Sequence, residues 1–254
     1  MGAKEVYESL LIAFAMYSRI PVPQVKWTDG GMRYALCFFP LVGAVVGGVM
    51  AGFSWLAHKT GMGSLAYACI GTAIPLLLTG GIHMDGFLDV ADARGSCQTA
   101  ERKLEIMKDP HTGAFAMIGG CVYLLLYLAA LSELGTAAFP AAAGVYVLER
   151  ALSGWSVVSF PKAKKDGLAS TFARQAQRRA VQAAMAGWGV AAAVFLFWAG
   201  GKTAGGTAIA ASAVALAWYY RMAMREFGGM TGDLAGYFLQ VCELGMLGAL
   251  AAVL

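Results

Sequence analysis

Three aspartates stand at helical spacing in the stretch His83-Met84-Asp85-Gly86-Phe87-Leu88-Asp89-Val90-Ala91-Asp92. Positions i, i+4 and i+7 put Asp85, Asp89 and Asp92 on one helix face, about 5–6 Å apart stepwise. Like charges placed this way repel and call for a cation. Oxygen donors suit Mg²⁺, which commonly bridges carboxylates to substrate phosphates. The chain has only 15 acids in 254 residues, so their concentration here argues for a site over a merely solvated helix end. A second acidic stretch, Glu101 to Gly113, places Glu105 and Asp109 on a shared face of a short helix that Pro110 ends. They are candidates for a second metal position facing the first. Two divalent ions about 3.5–4 Å apart are a recurring device for displacement at phosphorus. The alternative is that Glu101 and Glu105 pair with the bases beside them. His83 precedes Asp85 by two residues, so it faces another side of the helix, from where it could orient a carboxylate.

Other chemistry-bearing residues lie further along. Gly228-Gly229-Met230-Thr231-Gly232-Asp233 has glycines that let backbone approach a ligand, and successive N–H groups can cradle an anion; it could also be a plain turn. The basic stretch Pro161-Lys162-Ala163-Lys164-Lys165-Asp166-Gly167-Leu168, continuing through Arg174, Arg178 and Arg179, reads either as a contact for anionic lipid or as a receiver of a phosphate-bearing substrate. Lys108, Arg150 and Lys162 are the candidates for substrate phosphates, and Thr231 and Asp233 for a nucleoside. Glu149, Arg150 and Glu243 fall inside apolar runs. Such residues are functional candidates, with mutual pairing as the alternative.

The elements that must position these groups are apolar. Hydrophobic types make up 59% of the chain and charged types 13%, against roughly 45–50% and 25% for soluble domains. Mean hydropathy is +0.62. An ordinary soluble domain, a disordered chain and a nucleic-acid-binding module are excluded, and no basic tail or stripe suggests nucleic acid as a partner. Apolar segments run near 35–57, 63–82, 112–131, 137–160, 181–199, 207–224 and 234–254. They predict about seven spans of roughly 20 residues each. Backbone polar groups in lipid must be satisfied internally, so these spans are helices. The expectation is an all-α, polytopic integral membrane helix bundle forming a single domain over 1–254.

Residues 4–19 predict an N-terminal amphipathic helix, stopped by Pro21 and Pro23 and placed at the membrane surface. Of the 19 Lys and Arg, all but Lys59 and Lys202 fall in segments that are inner if the N-terminus is inner. That asymmetry predicts a multi-pass protein of the inner cell membrane, with the N-terminus and the acidic site cytoplasmic and the C-terminus outside. Membrane lipid is then a partner of the whole bundle. Gly43, Gly47, Gly48 and Gly52 form a small-residue face. Close packing within one chain is its first use, and the seam of a homo-oligomer its second. The five cysteines are scattered without CxxC spacing, so neither a disulfide framework nor a zinc site is indicated.

Taken in order, His83-x-Asp85-Gly86-x-x-Asp89-x-x-Asp92 and Glu105-Ile106-Met107-Lys108-Asp109-x-x-x-Gly113 closely resemble the cobalamin synthase family, the adenosylcobinamide-GDP ribazoletransferases. Arg19-Ile20-Pro21-Val22-Pro23, Phe39-Pro40-Leu41-Val42-Gly43, Arg150 and Gly228-Gly229-x-Thr231-Gly232-Asp233 support the resemblance, which covers nearly the whole chain. It implies a Mg²⁺-dependent membrane transferase that joins adenosylcobinamide-GDP to α-ribazole or its 5′-phosphate, releasing GMP. Corrinoid and nucleoside small molecules would be its substrates. On that reading Asp85, Asp89, Asp92, Glu105 and Asp109 serve Mg²⁺ and pyrophosphate, and Asp92 or Asp109 accepts the nucleophile's proton. Three rivals compete. A CDP-alcohol phosphotransferase wants Ala-Arg where Asp89-Val90 stands. An intramembrane prenyltransferase lacks its second Asp-rich motif. An ion-coupled transporter would hold its acids near the midplane.

Overall fold

The structure, a computed structural model, describes residues 2–163 and 176–254. Lys164, Lys165 and Arg174 of the basic stretch lie outside the described residues. Helices account for the fold: α1 Ala3–Tyr17, α2 Asp29–Ala35, a 3₁₀ turn Leu36–Phe38, α3 Phe39–Thr60, α4 Ser64–Thr79, α5 Ile82–Gly95, α6 Ala100–Ile106, α7 Ala114–Ala142, α8 Val145–Ser159, α9 Arg178–Phe227 and α10 Gly232–Ala251. Among the described residues the one β-type pairing is an isolated parallel bridge between Lys162 and Met230.

The expected N-terminal helix forms and ends before Pro21. Ser18 closes it, both its backbone N–H and its hydroxyl donating to the Phe14 carbonyl. Its Leu11, Ile12 and Ala13 are buried, and Ser9 donates to the Gly31 carbonyl at 2.7 Å, which docks α1 on α2.

Among the described residues four helices are long and apolar enough to cross a membrane: Asp29–Thr60, Ala114–Thr136, Arg178–Phe227 and Gly232–Ala251. A fifth span results if the bent pair Ser64–Thr79 and Ile82–Gly95 counts as one. The expected segments differ from this at three places. The second one is α4, 16 residues long, or about 24 Å at 1.5 Å per residue. The fourth is interrupted: Gly135, with φ 64°, breaks α7, and α8 carries Glu149 and Arg150. The fifth and sixth are the two arms of α9, which meet at Gly201 (φ 76°, ψ 178°). A Cβ on Gly205 would lie 2.8 Å from the Phe197 Cα, so the second arm folds back against the first. Leu65, Leu77, Val190, Trp198 and Val214 are each more than 60% exposed. Soluble proteins rarely leave so much large apolar surface wet, and in a helical membrane protein that surface meets lipid.

Inside the bundle the charged residues are paired off. Arg150, 1% exposed, forms an ion pair with Glu149 and donates to the Tyr146 carbonyl at 3.1 Å. Tyr127 donates to Glu243 at 2.6 Å and contacts the Tyr146 hydroxyl at 2.8 Å. The pairing alternative therefore holds for Glu149 and Arg150, while Glu243 is held by the Tyr127 hydroxyl. A buried charge is tolerated only with such partners. Arg150 is buried with its guanidinium carbon 5.8 Å from the ring of Phe39.

The small-residue face is divided. A Cβ on Gly43 would sit 2.0 Å from the Tyr146 carbonyl oxygen, and one on Gly47 2.4 Å from that of Ala143. These two glycines bring α3 against α8. Gly48 and Gly52 have nothing within 4 Å.

Candidate active site

The Asp-rich helix α5 exists because the chain turns sharply before it. Gly80 and Gly81 have φ of 68° and 77°, left-handed values that glycine adopts without steric cost. They end α4 and bend the chain by 99°. The helix that follows lays Asp85, Asp89 and Asp92 along one side, as the spacing requires. Asp85 is exposed, and Asp89 and Asp92 are half-buried.

A fourth carboxylate arrives from the far end of the chain. A Cβ on Gly86 would lie 2.9 Å from the Cα and carbonyl oxygen of Asp233, so the bare backbone of α5 lets the start of α10 press against it. Thr231 fixes that start as the N-cap, its hydroxyl accepting from the Leu234 N–H at 3.2 Å. The result is electrostatic crowding. Asp89 is pushed up to about 6 from its ordinary 3.8, chiefly by burial and then by the charges of Asp85, Asp233 and Asp92. Among the described residues Asp85 and Asp89 have neither an ion pair nor a hydrogen bond that would offset this repulsion.

Asp92 has a further contact. Its carboxylate lies at the N-terminus of α7, accepting from the Ala116 N–H at 3.4 Å in space that a side chain on Gly113 would fill. Glu105 and Asp109 do not join the group. Glu105 pairs with Arg102 at 2.8 Å on the exposed face of α6. Asp109 is bound by its neighbour His111, through the backbone N–H at 3.0 Å and the ring at 2.7 Å. The expected second cluster facing the first is thus corrected, because each of these acids turns to a base close by in sequence. Lys108 is exposed beside them.

Among the described residues no three His, Cys, Asp or Glu side chains converge closely enough to hold an ion by themselves. The donor chemistry still fits Mg²⁺. That ion keeps several waters and takes one or two carboxylates plus substrate phosphates, and the uncompensated pair Asp85 and Asp89, with Asp233, offers that. The carboxylates border a cavity of about 360 Å³ walled by Tyr17, Phe39, Val157 and His83, with Asp85 and Asp233 on its lining.

The glycine turn has a structural task. Met230 donates to Pro161 at 2.8 Å and accepts from Ala163 at 3.1 Å, and Gly229 gives Lys162 room to pass. Lys162 is half-buried and donates to the Val157 carbonyl. Burial, with Arg178 nearby, lowers its ammonium to about 8.

Sequence reasoning missed a clasp beside the site. Glu226 takes Arg94 through two hydrogen bonds at 3.1 and 3.2 Å and Lys103 at 2.9 Å, while Arg94 also donates to the Tyr237 hydroxyl at 3.0 Å. It ties α5, α6, α9 and α10 together. The signal available was Glu226 itself, an acid at the end of a long apolar run directly before Gly228-Gly229. Tyr17, Val157 and Ser153, which also lines the cavity, carried no signal.

A family model described as cobalamin-5-phosphate synthase matches residues 9–251. Over 238 residues the chain is 45% identical to an adenosylcobinamide-GDP ribazoletransferase of Lachnoclostridium phytofermentans, covering 93% of this chain and 90% of that one. It is 36% identical to the protein of that name from Ralstonia nicotianae, covering 98% and 96%, and 33% identical to that from Desulfitobacterium hafniense, covering 92% and 93%. No solved structure matches the chain.

Proposed function

Since the chain belongs to the cobalamin-5-phosphate synthase family, we propose that it joins adenosylcobinamide-GDP to α-ribazole, or to α-ribazole 5′-phosphate, and releases GMP. The observation that carries this reading is the crowding of Asp89 by the carboxylates of Asp85, Asp233 and Asp92, two of which, Asp85 and Asp233, line a cavity. A diphosphate brings further negative charge, so such a group can accept it only together with a cation.

In the reaction a ribose hydroxyl oxygen forms a bond to the corrinoid-side phosphorus, and the bond from that phosphorus to the GMP oxygen breaks. Asp85, Asp89 and Asp233, with Asp92 beside them, would hold Mg²⁺. Bound there, the ion would neutralise the diphosphate and the charge that develops on the leaving phosphate. The chain's own contribution is placement. The bend at Gly80-Gly81 aims α5, Gly86 admits α10, and the Glu226 clasp keeps the helices in register. The proton of the attacking hydroxyl goes to a carboxylate. Of the two expected for that role, Asp92 lies in the group and Asp109 is engaged by His111, so the role falls to Asp92. Lys162 supplies a cation where α8 bounds the cavity. The transporter reading is not favoured, because the matching family model and the similar relatives carry transferase and synthase names.

Purified protein given adenosylcobinamide-GDP, α-ribazole and Mg²⁺ should yield adenosylcobalamin and GMP. A chelator should abolish the product and added Mg²⁺ should restore it. Absence of corrinoid product from folded protein would refute the assignment. For sidedness, we propose a cytoplasmic N-terminus and site, supported by the distribution of Lys and Arg. A reporter fused after Leu254 should then read outside the cytoplasm, and a cytoplasmic reading would mean the traverse count is off by one.

A further inference from the structure

The nucleoside half of the reaction needs a seat, and one feature of the cavity remains unused. His83 is 6% exposed, lines the cavity, and its Nε2 has no hydrogen-bond partner among the described residues. A buried polar atom left unpaired costs free energy, so this nitrogen is a ready hydrogen-bonding position on the cavity lining. Its surroundings are apolar and aromatic. The Tyr17 ring lies 6.1 Å from the imidazole and nearly parallel to it, at 17°, and the Phe39 ring lies 5.6 Å away. Met16, Leu36 and Val157 complete the wall. The Ser153 hydroxyl, also on the lining, is already donated to the Ala235 carbonyl.

We propose that this cavity seats the aromatic base of α-ribazole, with His83 Nε2 hydrogen-bonded to the one ring nitrogen of the base that carries no sugar. The inference rests on the transferase reading above and specifies which substrate half enters the cavity. Size and polarity support the choice. A volume of about 360 Å³ lies at the small end of the roughly 300–1,000 Å³ of ligand pockets, which suits a nucleoside and not a corrin ring with its side chains. Guanine presents several donors and acceptors along its edge, whereas the wall around His83, apart from the carboxylates Asp85 and Asp233 assigned to the cation, offers one unpaired polar atom. A benzimidazole base presents one unpaired nitrogen and otherwise carbon. With the base so placed, the ribose extends toward Asp85 and Asp233, where the attacking hydroxyl is required.

The test compares α-ribazole with the isosteric riboside in which that ring nitrogen is replaced by C–H. Wild-type enzyme should show a KM for the analogue about tenfold higher, or more, because a site built around a polar partner rejects a ligand that lacks it. His83→Phe should raise the KM for α-ribazole by a similar factor and erase the preference. His83→Gln, which keeps a donor, should retain part of it. Val157→Phe, which adds bulk to the cavity lining, should raise the KM for α-ribazole and leave that for adenosylcobinamide-GDP unchanged. Equal use of both ribosides by wild-type enzyme would overturn the inference. So would a full preference persisting in the His83 variants, or a Val157→Phe effect confined to the corrinoid KM. Failure of wild-type enzyme to make any corrinoid product would instead overturn the transferase reading, and the inference with it.

Discussion

Asp89→Asn should lower turnover by about 10²–10³ or more, the scale seen when one preorganised electrostatic group is removed from an active site, while the protein stays folded. The amide copies the shape of the carboxylate but carries no charge for a cation. The fold should even gain. Asp89 is held at about 6 against an ordinary 3.8 because burial and three other acids oppose its charge. A carboxyl raised in this way favours the folded state when protonated, so its ionised form works against folding above about pH 6. Asn removes that opposition. Thermal unfolding at pH 7.5 without divalent ions should therefore occur at the same or a higher temperature in the variant, and Mg²⁺ should stabilise the variant less than the wild type. Product formation near the wild-type rate would remove Asp89 from the metal-holding role.

Gly43→Val should leave little folded protein. The added Cβ would meet the Tyr146 carbonyl oxygen at 2.0 Å and its carbon at 2.7 Å. Both are helix backbone, so no side-chain rotation relieves the clash. Ordinary overpacking costs about 1–3 kcal/mol, and a clash with backbone at the tightest crossing of two helices exceeds that. The added Cβ would also lie 3.0 Å from the Cδ of Arg150, crowding a buried charged side chain at the same crossing. Gly48→Val is the control, since nothing lies within 4 Å of its added Cβ. The yield of monodisperse protein in detergent separates the two. A Gly43→Val protein as abundant and heat-resistant as Gly48→Val would show that α3 and α8 are not so close.

These two cases also show where the sequence was readable. The shared face of Asp85, Asp89 and Asp92 on α5 was readable because a helix repeats every 3.6 residues. Glu105 and Asp109 have the same spacing, yet they are spent on Arg102 and His111. Spacing fixes which side of a helix a residue occupies but not which neighbour that side meets. Asp233 was legible as a polar residue beside a glycine turn, but its meeting with Gly86 is a tertiary fact. Gly43 and Gly48 look alike in the string, and only packing tells the inward one from the outward one. Seven apolar segments were visible, whereas the bend at Gly80-Gly81 and the fold-back at Gly201 depend on left-handed backbone that hydropathy does not register. Tyr17 and Val157 line the cavity because of how α1 and α8 dock, and nothing in their immediate neighbours announces it.

The contact of Gly86 with Asp233 has a consequence for how the protein is made. A ribosome that stalls before the final helix would release a chain bearing the whole Asp-rich motif and still no competent centre, because one wall of it has not been translated. On the proposed assignment, activity would appear only when synthesis is nearly complete, and shorter fragments lodged in the bilayer would be chemically silent.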